Sequence, residues 1–413
     1  MPHTRRRVAL ASALLVSASL STGSAPALPP VAAVASSNIE LVGIVPDPGA
    51  IGGRILGDTL YATALGGLRI YDLSQGDMPS LIGTFALPTY QNEDIDTNGE
   101  ILLMSSDFLV GVPNILTVVD VSDPSSPERL SSIQVPAAHT ASCILDCSYA
   151  WMGGASGRMH VVDLREPTAP KVVGSFIVPG LVHDVQVDEE GLAWVSSGGG
   201  LFAFDPSTDP VQPTQVLELR NKTPGSFEND FILHNSLRSG DQILVVEEDW
   251  DPLSNGRCTN DGAFQTGRVF REDGALRVTK QDRFSLGRGD LAQGQTDRLP
   301  TAPLSCSAHY FGARGDGIVA VAWYEQGMRL LDVSDPTDIR QVGYHLPVGE
   351  TITTLIRDDL VYAFDTVRGL EVLRVTVAPG DPALDAPVVQ PSASAPRLQP
   401  SPRWGWACRI PAA

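Results

Sequence analysis

The chain is short of lysine, of aromatic residues and, past its N-terminus, of any long apolar run. Only three of its 29 Lys and Arg residues are Lys, against 48 Asp and Glu, and the formal net charge is −19 over 413 residues. A surface this acidic repels phosphate, which argues against nucleic acid and anionic membrane as partners. The sequence contains no G-x-S-x-G elbow, no H-E-x-x-H, no phosphate-binding G-x-x-x-x-G-K-[ST] and no EF-hand loop, so the common hydrolase, zinc-protease, nucleotide and calcium chemistries lack their signatures. Gly198-Gly199-Gly200 precedes a strand rather than a helix and reads as a hairpin turn. Beyond the first 30 residues no apolar stretch reaches the 18 residues that a membrane helix needs. What is present is a substantial apolar content, 43%, with 39 Gly and 32 Pro. Such a chain buries a core and is not disordered.

Arg5-Arg6-Arg7, the apolar stretch from Val8 to about Leu20 and the small residues that follow form the pattern of a secretory signal peptide. Ala25-Pro26-Ala27 and Ala33-Val34-Ala35 are its two candidate cleavage sites, and 1–35 is taken as the leader. Export gives the five cysteines a disulfide-permissive setting. The expected pairs are Cys143–Cys147, across a tight strand connection, and Cys258–Cys306, with Cys408 left over.

From residue 36 to 377 one phrase recurs: an apolar strand, an Asp, a Pro-containing turn, then a strand ending in Pro. The aspartates fall at 72, 120, 163, 205 and 332, with early spacings of 48, 43 and 42. A degenerate unit around Arg268–Glu272 and a final one ending at Leu370–Arg374 bring the count to seven. A period near 42 residues, with short strands and Asp/Ser/Pro turns, suits one four-stranded blade per unit. The expected fold is therefore all-β, a seven-bladed β-propeller. Glu40-Leu41-Val42-Gly43-Ile44-Val45-Pro46 reads like the last strand of a unit yet precedes the first, while the seventh unit lacks that strand. Pairing the two closes the ring and removes its edges. Residues 378–413, rich in Pro, Ala and Ser, read as an extended tail.

Leu116-Thr117-Val118-Val119-Asp120, Met159 to Asp163 and Met328 to Asp332 resemble the L-V-I-V-D repeat of secreted bacterial β-propellers, and the stretch from Ala322 to Pro336 is the most specific. The resemblance covers most of 38–377. It implies a seven-bladed propeller at the cell surface or outside the cell, and it implies no reaction.

Overlaying the first strand of each unit brings His139, His183 and His309 to one register, with Glu93, Asn229 and Glu350 beside them and Asp94, Asp184 and Asp230 flanking. In a propeller these strands line the central channel, so equivalent positions converge on one ring. Two readings stand. The imidazoles and carboxylates can hold a transition metal, Asp184 or Asp230 orienting them. Alternatively, His–Asp pairs bond to neighbouring blades or wet a channel. His234 reads as a loop or solvent residue farther along its strand. Glu247-Glu248-Asp249 with Asp251 offers clustered oxygens to Ca²⁺, or forms a solvated acidic loop, and the excursion over 248–301 is a candidate partner-facing loop. The expected function is a monomeric, secreted, non-catalytic module that binds an extracellular protein or glycan. The alternative is a metal-dependent hydrolase or oxidoreductase built on the ring.

Overall fold

The computed structural model describes residues 33–384, apart from 48, 88–93, 108–112, 229–231, 249–261, 287–306, 325 and 348. It consists of seven antiparallel sheets in a ring, a β-propeller as the period predicts. Blades 1 to 6 follow one another along the chain, their innermost strands being Ala50–Leu56, Ile95–Thr97, Thr140–Ile144, Val182–Val187, Ile232–Ser239 and Phe311–Ala313, and Thr351–Arg357 opens blade 7. Seven apolar clusters among the described residues each join two neighbouring blades, the last uniting Tyr362, Phe364 and Val372 with Leu60 and Tyr71 of blade 1. The core is therefore distributed over the blade interfaces, and each interface buries one face of two sheets.

The recurring residues have local jobs. Asp72, Asp120, Asp163, Asp205 and Asp332 each end a third strand, and each side chain accepts the backbone N–H two residues on, at 2.8–3.0 Å. That Asx turn reverses the chain into the fourth strand. The glycine of the L-I-G-type fourth strand has a packing role. A Cβ on Gly83 would lie 2.0 Å from the Pro124 carbonyl oxygen of blade 2, so only Gly lets the next blade's Asp-Pro turn seat there.

Closure occurs as expected. Ile39–Val45 pairs antiparallel with Gly369–Val375 and supplies the outer strand of blade 7. Upstream, Val34–Ala35 adds a fifth strand to blade 6 against His345 and Leu346. At the other end, Leu384 donates its N–H to the Gln341 carbonyl (2.8 Å), and Gly380 donates to the Asp332 carboxylate at 2.8 Å. The paired structure thus runs slightly past residues 36 and 377 on both sides, and both ends are held on the outer part of blade 6. Cys143 and Cys147 form a disulfide across the hairpin between the first two strands of blade 3. Cys258, Cys306, Cys408, residues 1–32 of the candidate leader and most of the tail lie outside the described residues. No helix among the described residues is long and apolar enough to cross a membrane.

Candidate metal centre at the propeller axis

Four innermost strands start with the same backbone device. In blades 4 and 5 the ladder skips one residue, between Val182 and Asp184 and between Leu233 and Asn235. The skipped residues are His183 and His234. Blades 7 and 1 skip in the same place, at Ile352 and Ile51. In blades 3 and 6 the equivalent residues are His139 and His309, whose N–H groups bond to the Gly153 and Ala322 carbonyls at 3.0 and 2.9 Å. A bulged residue is released from the ladder, and its side chain is re-aimed. Four consecutive blades thus present a histidine from one register.

This corrects two expectations. His234 is no loop residue: it is completely buried and stands in the register that had been assigned to Asn229 and Asp230, which lie outside the described residues. Blade 5 carries its histidine later in the unit than the period predicts, so an overlay of strand starts puts Asn229-Asp230 in that place. The matching dipeptides are His183-Asp184 and His234-Asn235, and they would have given the register. Glu247 and Glu248, in turn, form no solvated loop. Both end the strand Gln242–Glu248 and are 1% exposed; Asp249 and Asp251 lie outside the described residues.

The four rings form a continuous row. His139 Nε2 lies 2.8 Å from His183 Nε2. The His183 and His234 ring centroids are 3.7 Å apart, and those of His234 and His309 are 3.9 Å apart. His139 Nδ1 is fixed by the Asp107 carboxylate at 3.0 Å, and His309 Nδ1 donates to the Ile352 carbonyl at 2.8 Å. Donors ~2.0–2.1 Å from one ion and at right angles to each other lie ~2.9 Å apart, which is the spacing of His139 and His183. The donor atoms of His183, His234 and Glu248 all lie within 4.8 Å of one another, and all three residues are buried. Neither ring nitrogen of His234 makes a hydrogen bond of good geometry, although the Asn235 side chain lies close enough to favour the charged ring. Glu248 is held from its other oxygen: Tyr324 donates its hydroxyl to Oε1 at 2.5 Å, while Oε2 faces His234 Nε2 at 3.9 Å. Tyr324 itself sits at φ +45°, in the left-handed region that a bulky residue rarely adopts.

Burial dominates the electrostatics. It holds His183 and His234 well below the ordinary histidine range, and neighbouring imidazoles of the row add to the effect. Burial likewise lowers His309 to about 3. These rings are neutral at physiological pH, which is the form that coordinates metals. Burial raises Glu248 to about 6, against the opposing hydroxyl of Tyr324.

The other expected ring residues stand elsewhere. Asp184 is fully buried, accepts from Gln186 Nε2 at 3.0 Å, and is pushed well above the carboxylate range by burial. Asp94 accepts from Thr140 Oγ1 of the neighbouring blade, and burial raises it to about 6. Glu350 precedes the blade 7 bulge by two residues and accepts instead from Thr366 Oγ1 at 3.1 Å. Glu93 lies outside the described residues. The carboxylate that orients a ring histidine is Asp107, not Asp184. Asp107 follows Ser105-Ser106 at a strand end, and no motif marks it.

The fold and this site define a seven-bladed β-propeller with a histidine-rich axis. The family model described as LVIVD repeat matches residues 108–134, so the chain is a propeller that carries an LVIVD repeat. No curated protein matches it. Among solved structures it is similar to the Cps50 (Swd1) β-propeller domain of Myceliophteria thermophila, at 14% identity and a TM-score of 0.56, covering 82% of this chain and 100% of that one. It also matches the computationally designed Ika8 protein at 10% identity and a TM-score of 0.49, with 80% and 97% covered. At 14% identity the Cps50 likeness speaks for the fold alone.

Proposed function

We propose that the propeller axis binds one transition-metal ion and that the protein works through it, as a metal-dependent hydrolase or oxidoreductase. One observation carries this reading: His183, His234 and Glu248 bring three buried donor atoms within 4.8 Å of one another. His139 stands beside the trio, its Nε2 2.8 Å from His183 Nε2. A buried imidazole without well-formed hydrogen bonds is costly, and coordination would satisfy His234. Two imidazoles with one carboxylate, and a third imidazole alongside, suit Fe²⁺, Cu²⁺ or Zn²⁺ and do not suit Ca²⁺, which seeks oxygen. Within the site, Asp107 would set the His139 tautomer, and Tyr324 would leave Glu248 one oxygen to offer. The bound ion would supply Lewis acidity or electron transfer.

The test is elemental analysis of protein purified without a polyhistidine tag, alongside the His234→Ala variant. Near-stoichiometric copper, iron or zinc in the wild type, lost in the variant, is the expected result. A metal-free protein that also refuses added metal would overturn this reading and return the chain to a binding module for an extracellular protein or glycan. We propose export on the N-terminal charge and apolar pattern, with the Cys143–Cys147 disulfide in support.

A further inference from the structure

Resting on the metal centre, we infer that the ion's open side takes a small ligand with an anionic oxygen head and an apolar body. The histidines come from blades 3 to 6 alone. In a ring of seven, the blades facing them across the axis are 7, 1 and 2, and the stretch that leads into the inner strand of blade 2, 88–93, lies outside the described residues. In blades 7 and 1 the same bulged register carries Ile352 and Ile51. Ile51 is 9% exposed, yet among the described residues neither isoleucine belongs to any of the seven apolar clusters between blades. Their backbones are engaged, since Ile51 O accepts from Thr353 Oγ1 at 2.8 Å and Ile352 O from the His309 ring at 2.8 Å. The bulges of blades 7 and 1 are therefore firmly placed. They would present an apolar wall where blades 3 to 6 present histidines.

The charge balance specifies the head group. Imidazole coordinates in its neutral form, so the carboxylate of Glu248 is the one anionic donor in the buried trio. A divalent ion there keeps a net positive charge in a dry site, where an anionic oxygen donor is strongly favoured. The isoleucines favour an alkyl chain behind that head.

The experiment loads the full chain with Co²⁺ and titrates it with straight-chain carboxylates from acetate to octanoate, following the cobalt d–d bands. Affinity should rise about threefold to fourfold per methylene over the first several carbons. Ile51→Ser and Ile352→Ser should each flatten that rise while changing cobalt affinity by less than about threefold. Should a serine variant fail to fold, Ile51→Val and Ile352→Val keep the wall apolar and should retain the rise. A chain-length series that is flat in the wild type overturns the inference and leaves the metal centre standing, as does a rise that both folded serine variants keep in full. Failure of Co²⁺ to bind at all removes the metal reading and this inference with it.

Discussion

Blades 3 to 6 and the pair formed by blades 7 and 1 use one backbone position for opposite ends. Blades 4, 5, 7 and 1 open their innermost strands with the same irregularity, yet in that register the first group carries His139, His183, His234 and His309 and the second Ile352 and Ile51. The side holding isoleucine is also where the ring is zipped, by Ile39–Val45 against Gly369–Val375. The repeat therefore fixes the place of the position, not its chemistry. One arc of the ring concentrates donors, and the other supplies closure and an apolar surface.

The largest expected effect lies in the closing arc. An exported chain that begins after Val45 loses the whole outer strand of blade 7, with Ile39 and the half-buried Val42, Ile44 and Val45. Burying such side chains contributes ~1.5–3 kcal/mol each when complete, and a protein's whole stability is of order 5–15 kcal/mol. The truncated chain should lose its cooperative melt or melt far lower by calorimetry. A melting temperature within a degree or two of the full chain would show that this strand does not close the ring.

The donor arc breaks differently. His183→Ala or His234→Ala should lower metal affinity at least ~100-fold, because losing an outer partner alone already costs 10–100-fold. Ile352→Ala should leave that affinity nearly unchanged. Tyr324→Phe sharpens the contrast: it keeps the ring but frees Glu248 Oε1. A 10–100-fold loss of metal affinity is expected, with little change in melting temperature. Competitive titration against a chelator measures all four variants. Equal affinity in wild type and Tyr324→Phe would show that Glu248 needs no such anchor.

A third contrast concerns pH. Asp365 of blade 7 is raised to about 6, chiefly by burial and despite nearby Arg368. Its folded value exceeds the ordinary aspartate value of 3.8, so the folded state holds a proton that the unfolded chain has released between those two values. The stability it contributes is present below about 3.8 and is lost as pH rises through about 6. Asp365→Asn keeps an acceptor for the Val367 and Arg368 amides. It should therefore stabilise the protein by about 3 kcal/mol at pH 8, and the gain should vanish near pH 4. Urea titrations at both pH values measure it, and a gain independent of pH would assign the effect to something other than ionisation. The histidines of the donor arc act in the opposite sense. His309, lowered to about 3, costs stability as pH falls below the ordinary histidine value of 6.5.

Much of the architecture was legible because it repeats. The aspartates of Asp120, Asp163 and Asp332 mark the third strands, and the stray strand at Glu40–Pro46 announces the closure. Repetition also made three of the four histidines visible. His234 was missed because blade 5 departs from the period, and an overlay by strand starts slides there by several residues. The sequence marks Glu248 only as part of an acidic run, and the roles of Glu248, Tyr324 and Asp107 are hidden for another reason. These residues enter the site from second strands, a loop and a strand end, and their convergence is a matter of tertiary geometry with no local spacing to betray it. Within the Ala322 to Pro336 stretch the family pattern did highlight Trp323-Tyr324, but only the +45° φ and the bond to Glu248 show what Tyr324 does.

The smallest effect concerns where the chain would begin if the proposed leader is removed. A chain starting at Leu28 keeps Val34–Ala35 on the edge of blade 6, whereas one starting at Ser36 loses it. Ser36 itself carries the stronger tie. Its N–H bonds to the Tyr344 carbonyl at 3.0 Å, its hydroxyl accepts the Tyr344 N–H at 3.1 Å, and Asn38 Nδ2 donates to the Val342 carbonyl at 2.8 Å. A new terminus at Ser36 still places a donor on Tyr344, so the two chains should melt within about 2 °C of each other, the shift expected from a few tenths of a kcal/mol. The difference should appear at the edge alone, as faster hydrogen exchange around His345 and Leu346 in the shorter chain. Equal exchange there in both chains would mean that the two-residue strand protects nothing.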